Sequence, residues 1–141
     1  MSSRDTLIIK NSWSYVITQP DIAGELFYQK LFELNPSLES MFHVDLEQQA
    51  KKLIDMITYM VMNLQTMVDI QADIEALAIR HVHYGTEPRH YQTVGKALIW
   101  VLENCLGEVW NEETSKAWTD LYTLWANAMI EASKNVSIIK Q

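Results

Sequence analysis

The sequence predicts an all-α protein of a single domain, residues 1–141, and three observations lead to this prediction. Proline occurs only three times and glycine only four times, which favours long helices over frequent turns. Hydrophobic residues make up 48% of the chain, enough to bury a sizeable core. Apolar residues recur at helical spacing along most of the chain, and no segment shows the strict alternation of a strand between turn residues.

Charge and composition exclude several classes of function. The net charge of −7 argues against nucleic acid as a partner, because phosphate binding depends on basic side chains. The uncharged run 56–68 is too short to span a bilayer, and Arg4, Asp5 and Lys10 interrupt any apolar signal segment. The single cysteine, Cys105, fits a reducing compartment. We expect a soluble, cytoplasmic protein, either a monomer or a homodimer.

The first half of the chain predicts four helices. Ser3 and Asp45 are suitable N-cap residues for the first and the last of them, and Pro36 fits a first helical turn. Gly24 costs about 1 kcal/mol in a helix interior, which is expected where another helix backbone crosses closely. The predicted helices cover residues 4–18, 21–34, 36–41 and 46–64.

The second half predicts three more helices. One ends at Tyr84-Gly85, with Gly85 suited to the left-handed C′ position. The next is capped by Thr86 and ends at Gly107, and Gly95 within it allows another close crossing. The last runs from residue 112 to about residue 135, and we expect the tail from residue 136 to fray.

A histidine completes an otherwise apolar helix face. Ile74, Leu77, Ala78 and His81 follow the spacing i, i+3, i+4 and i+7 and therefore share one face. A buried helix that ends on an imidazole can offer a neutral nitrogen to a metal ion such as haem iron. From this segment alone, a core histidine bonded to a carbonyl group is the favoured interpretation.

Two further polar residues stand on or beside predicted core stripes. Gln49 lies one turn before Leu53 on the stripe of its helix, where a polar group is costly unless it has a hydrogen-bond partner. Tyr28 follows Phe27 and points toward the same interior. An ordinary core tyrosine bonded to the backbone remains an alternative for Tyr28. Lys52 is expected to lie on a solvated face unless a ligand reaches it.

These segments together resemble a globin from about residue 10 to residue 132. The closest resemblance is to single-domain bacterial haemoglobins and to the globin module of flavohaemoglobins. The separation of 32 residues between Gln49 and His81 equals the globin separation between the distal and proximal positions. The segments that carry the resemblance are ELFYQKLFELNP, SMF, QAKKL, LAIRHVHYG, PRHYQTVGKAL and AWTDLYTL.

The resemblance implies six to eight helices around a pocket for haem b. It assigns His81 as the proximal iron ligand and Tyr28 and Gln49 as the distal residues that meet the gas ligand. The remaining expected haem contacts are Phe42, Leu53, Lys52, Leu77, Tyr91 and Val94, with Lys52 at a propionate. His43, His83 and His90 are rival ligands, and we expect none of the three to bind the iron. Unless it flanks the haem edge, His90 is expected as a solvated residue of a first helical turn.

The chain departs from related globins at two positions. Vertebrate oxygen carriers usually have histidine where this chain has Gln49, whereas glutamine fits the bacterial pattern. Flavohaemoglobins have a glutamate late in the last helix that bonds the proximal tyrosine and histidine, and the matching position here is Ser133. Glu131 lies about 200° round the helix from that position and should not replace it. This departure argues against peroxidase-like activity.

The resemblance leaves four functions to compare. The leading one is reversible binding of O₂, CO or NO at a haem. Nitric oxide dioxygenation is an alternative, which would need electrons from a separate reductase. A gas sensor would have to act through a partner protein. A haem-free interaction module would leave two buried polar groups, at residues 49 and 81, unexplained.

Overall fold

The computed structural model describes residues 2–42, 45–64, 71–83 and 86–140, with side chains except at positions 71, 83 and 135–140. These residues contain helices and no strand, which confirms the all-α prediction. Short 3₁₀ helices cover Pro36–Met41 and Gly107–Val109. Within the described ranges, no helix has the length and apolar character needed to cross a bilayer. The α-helices are α1 (Ser3–Val16), α2 (Pro20–Leu34), α3 (Leu46–Met62), α4 (Gln71–His83), α5 (Pro88–Leu106) and α6 (Glu112–Lys140).

The helix caps agree with the sequence prediction at one position and differ at two. The Asp45 carboxylate accepts from the backbone N–H of Glu47 at 2.9 Å, as predicted. The first helix is capped by Ser2 and not by Ser3, because the Ser2 hydroxyl accepts from the N–H three residues later. Helix α5 is capped by Glu87 and not by Thr86.

Three helix ends differ from the predicted ends. Helix α1 ends at Val16, two residues before the predicted end at residue 18. Helix α3 ends at Met62, two residues earlier than predicted, and α6 continues to Lys140, five residues beyond its predicted end. The predicted stop at Tyr84-Gly85 and the rival ligand His43 lie outside the described residues, as does the side chain of His83.

Helix α2 is central, because it packs against both α3 and α5. Helix α6 packs against α1, α4 and α5. Between α1 and α6, the rings of Trp13 and Trp118 lie 5.8 Å apart, and the Trp118 indole N–H donates to the Ser12 hydroxyl at 2.8 Å. Helices α3 and α4 form no comparable extended contact in the described part of the chain.

The two interior glycines admit different neighbours. A Cβ atom added at Gly24 would lie 2.7 Å from the Ala50 Cβ atom and 3.4 Å from its Cα atom, so α2 and α3 cross closely here, as predicted. A Cβ atom added at Gly95 would lie 2.7 Å from the Tyr122 ring. Gly95 therefore makes room for an aromatic side chain and not for a crossing helix backbone.

Candidate functional site

The apolar stripe of α5 is buried along most of its length and opens at its N-terminal end. Leu98 and Leu102 are buried, whereas Val94 and Tyr91, one and two turns before Leu98, are only half-buried. Apolar side chains on a core-facing stripe are expected to be covered. The open end of this stripe is therefore a candidate for ligand contact.

The stripes of α3 and α4 open in the same way. On α3, Ile57 is buried and Leu53 is half-buried, as is Gln49 one turn before it. On α4, Ala78 is buried, whereas Leu77 and His81 are half-buried. Six of the residues predicted to contact a ligand thus lie at the open ends of three core stripes: Gln49, Leu53, Leu77, His81, Tyr91 and Val94. These ends define the candidate site.

His81 has a defined tautomer on one side of this site. Its Nδ1 atom lies 2.8 Å from the backbone carbonyl oxygen of Leu77, one turn earlier on α4. A carbonyl oxygen can only accept, so Nδ1 carries the proton and Nε2 carries the lone pair. Burial lowers the pKa of His81, the Leu77 carbonyl opposes this effect, and the charge of Arg80 adds to it. The imidazole is therefore neutral at pH 7.

The Tyr91 ring lies beside this imidazole. The two rings are stacked, with centroids 6.4 Å apart and planes inclined by 23°. Burial raises the pKa of Tyr91, so its hydroxyl stays protonated. Tyr122 donates its own hydroxyl to the Tyr91 backbone oxygen at 2.7 Å, which ties the start of α5 to α6. His81 and Tyr91 are therefore brought together, as the sequence predicts.

Tyr28 and Gln49 form a polar pair between α2 and α3. The Gln49 side chain lowers the pKa of the Tyr28 hydroxyl, as a hydrogen-bond donor to its oxygen does. Burial raises the pKa of Tyr28 to about 12, and this hydrogen bond opposes part of the rise. The backbone partner considered for Tyr28 is thus wrong, because its partner is a side chain of the neighbouring helix.

Aromatic rings surround Tyr28. Its ring centroid lies 5.1 Å from that of Phe27 and 5.4 Å from that of Phe42, both nearly perpendicular. Phe32 completes the cluster, 5.9 Å from Tyr28 and 5.5 Å from Phe42. The sequence analysis did not single out Phe32, although its position one turn after Tyr28 could have indicated it.

The remaining predicted residues lie at the margins of the site. Lys52 is exposed on α3, as a propionate partner would need to be. His90, expected on a solvated first turn unless it met a ligand, is buried at 8% exposure. Its Nδ1 atom accepts from the Glu87 backbone N–H at 2.9 Å and so closes the cap of α5. Because Nδ1 accepts, the ring proton of His90 is on Nε2, so His90 does not present a second lone pair to a metal.

The end of α6 lacks the glutamate that bonds the proximal tyrosine and histidine in flavohaemoglobins. The Ser133 hydroxyl donates to the Ile130 backbone oxygen at 2.7 Å. Glu131 is exposed and pairs with Lys134 at 3.1 Å, directed away from the core. Among the residues whose side chains are described, no three His, Cys, Asp or Glu residues are grouped so that they could hold a metal ion.

Comparisons with known proteins agree on one family. A sequence model of the globin family matches residues 25–129. A flavohaemoprotein of Vibrio cholerae is 27% identical over 127 residues, which cover 88% of this chain and 32% of that protein. The chain therefore spans about a third of the length of this relative.

Two solved structures have closely similar folds. A bacterial globin from Campylobacter jejuni superposes with a TM-score of 0.87 at 25% identity, covering 96% of this chain and 99% of that one. A hexacoordinated haem protein from an anhydrobiotic tardigrade superposes with a TM-score of 0.85 at 16% identity, covering 95% and 96%. At 16% identity the second comparison concerns the fold alone.

Proposed function

This chain belongs to the globin family, and on that premise we propose that it binds haem b and, through it, reversibly binds O₂ or another diatomic gas. When bound, haem supplies an iron atom that takes the gas as a ligand. The observation that carries the proposal is the state of His81: half-buried, neutral, and with its Nδ1 proton donated to the Leu77 carbonyl. An imidazole oriented in this way presents Nε2 as the metal-binding atom.

The half-buried apolar residues suit a large, flat, mostly apolar group. Leu53 on α3, Leu77 on α4 and Val94 on α5 each keep apolar surface that the core does not cover. Covering such surface is favourable by about 25 cal/mol per Å². The exposed ammonium of Lys52 suits a carboxylate at the outer edge of such a group.

The polar pair Tyr28 and Gln49, on α2 and α3, supports gas binding on the side of the haem opposite His81. Gln49 donates to the Tyr28 hydroxyl oxygen, and the raised pKa keeps the hydroxyl proton in place. Tyr28 therefore remains a donor at neutral pH, and the Gln49 amide has a second N–H. Both donors are available to a polar gas ligand, because charge-assisted hydrogen bonds favour ligands that accumulate negative charge.

Substitution of His81 tests this proposal. We expect His81→Ala to lose most of its haem, or to bind it weakly until free imidazole is supplied. His90→Ala is the matched control, because it removes a buried histidine that caps a helix. The visible spectrum and haem content of each purified variant give the readout. An unchanged spectrum in His81→Ala, or loss of haem only in His90→Ala, would contradict the proposal.

Nitric oxide dioxygenation is the second candidate, and the Tyr28–Gln49 pair favours it together with the similarity to a flavohaemoprotein. In that reaction NO and O₂ combine to nitrate, and each turnover consumes an electron. A separate reductase would have to supply the electron. Repeated consumption of NO by the oxygenated protein with NADH and a reductase from the same cell would support this function. A single turnover without recycling would argue against it.

A further inference from the structure

Helices α5 and α6 leave a groove of about 790 Å³ on the side facing solvent. Its walls are mostly apolar, with Ile99 and Trp100 from α5 and Ala126 and Ile130 from α6. Ile99 and Trp100 are half-buried in the isolated chain. Tyr91 is the one candidate-site residue among those that line the groove. Apart from Tyr91, the lining of the groove does not include the open ends of the core stripes.

Two opposite charges stand on the α5 wall at equal distances from its apolar centre. Lys96 and Glu103 both line the groove and both are exposed. They are seven residues apart, close to two full turns, so they share one face of the helix. Ile99 and Trp100 lie midway between them. Neither charge forms an ion pair with any other residue in the described part of the chain.

We propose that this groove is the interface of a homodimer with two-fold symmetry. The symmetry axis passes beside Ile99 and Trp100 and runs across the helices, so each α5 lies antiparallel to α5 of the other copy. A two-fold contact must be self-complementary. With the axis at this level, Lys96 of each copy faces Glu103 of the other, and both unpaired charges of the groove acquire partners.

The arrangement of side chains also suits an interface between copies. Stable interfaces have an apolar, aromatic centre and a polar rim. Here Trp100 lies beside the axis, and only the Lys30 ammonium, 5.0 Å from its ring centroid, is recorded over its face. Tryptophan is among the residues that contribute most to binding at interface centres. The charges at residues 96 and 103 supply the rim.

The dimer is tested by sedimentation equilibrium of the purified full-length chain over a range of concentrations. We expect a reversible dimer whose dissociation constant rises about tenfold or more in Lys96→Glu, because attraction becomes repulsion at two symmetric contacts. Glu103→Lys should have the same effect. The double variant Lys96→Glu/Glu103→Lys should restore dimerisation, since it only exchanges the two charges. Lys10→Glu, with the same charge change at an exposed site on α1, is the control.

Three results would overturn the proposal. One is a wild-type chain that stays monomeric up to about millimolar concentration, the range of the weakest specific complexes. The second is a dimer that Lys96→Glu weakens no more than Lys10→Glu does. The third is a charge-exchanged double variant that remains as weak as the single variants, which would exclude the two-fold register. None of these results depends on haem or on gas binding, so this proposal and the proposed function can fail independently.

Discussion

At the scale of single residues, Tyr28 and Gln49 are the groups whose chemistry should distinguish one gas from another. A hydrogen bond to a ligand that carries negative charge contributes about 1.5–3 kcal/mol. A difference of 1.4 kcal/mol is about tenfold in an equilibrium. Tyr28→Phe or Gln49→Leu should therefore speed O₂ dissociation by roughly ten- to a hundredfold, measured by stopped-flow displacement.

Carbon monoxide provides the control within the same variants. It is much less polarised as a ligand, so its dissociation should change far less than that of O₂. A steric change or an added cavity would affect both gases. Equal effects on O₂ and CO would therefore rule out the hydrogen-bond explanation.

The buried hydroxyl of Tyr28 should also affect stability at high pH. Its pKa is about 12 in the folded chain and about 10 in an unfolded one. Between these values the unfolded chain loses the proton while the folded chain keeps it, so stability falls as pH rises from about 10 to 12. Denaturant titrations across this range should show roughly 2 kcal/mol less loss in Tyr28→Phe than in the wild type. An identical pH dependence would contradict the assigned burial of the hydroxyl.

The sequence predicts which residues share a helix face better than it predicts which side chains they contact. The face shared by Ile74, Leu77 and His81 follows from helical periodicity alone, and the structure has them on α4 as expected. The hydrogen bond between the Gln49 side chain and Tyr28 depends on how α2 crosses α3, which no local pattern specifies. For the same reason His90 was expected at the surface, although its ring folds back to cap α5.

At the scale of helices, the crossing of α2 and α3 depends on Gly24. A methyl group there would lie 2.7 Å from the Ala50 Cβ atom. Overpacking costs about 1–3 kcal/mol, more than the gain of about 1 kcal/mol from the better helix propensity of alanine. Gly24→Ala should therefore lower the free energy of unfolding. Adding Ala50→Gly should recover part of this loss in chemical denaturation, and strictly additive effects would contradict the close contact.

A second prediction concerns the two helices that carry the candidate distal and proximal residues. The Tyr59 hydroxyl on α3 donates to the Asp73 carboxylate on α4 at 2.8 Å. Because α3 and α4 otherwise have little mutual contact, this bond should help to keep their separation constant. We expect Tyr59→Phe to speed haem loss to an acceptor globin by roughly two- to tenfold.

The same experiment has a partner variant and a control. Asp73→Asn should resemble Tyr59→Phe, and the double variant should be no worse than either single variant, since one bond is removed in each case. Tyr15→Phe removes an exposed hydroxyl on α1 and should leave haem loss unchanged. Fully additive effects of the two substitutions would show that the residues act separately.

The existence and order of the helices were predictable, whereas several ends were not. Periodic stripes and the positions of Pro36, Pro88 and Gly107 identify the elements, and Gly107 has the positive φ of +53° that suits glycine. Ser2 and Ser3 are equally good caps in sequence, and only the backbone geometry decides between them. Helix α6 continues beyond residue 135 although no sequence signal there distinguishes helix from a frayed end.

At the scale of the whole molecule, the number of protein ligands on the haem iron should follow from the residue at position 49. The tardigrade structure with a closely similar fold is described as hexacoordinated, at only 16% identity. We propose that Gln49, and not a histidine, lies opposite His81 across the haem. An amide is a much poorer iron ligand than an imidazole. We therefore expect five-coordinate iron in the reduced protein without a gas ligand.

The most direct test of the account is the visible absorption spectrum of the purified protein with haem, reduced under argon. We expect a single broad visible band, as five-coordinate, histidine-ligated haem gives, and its loss in His81→Ala. Addition of CO should convert it reversibly to a six-coordinate spectrum. A reduced spectrum with the sharp paired bands of six-coordinate, low-spin haem would contradict the assignment of Tyr28 and Gln49 as donors to a gas. Absence of haem binding would contradict the account as a whole.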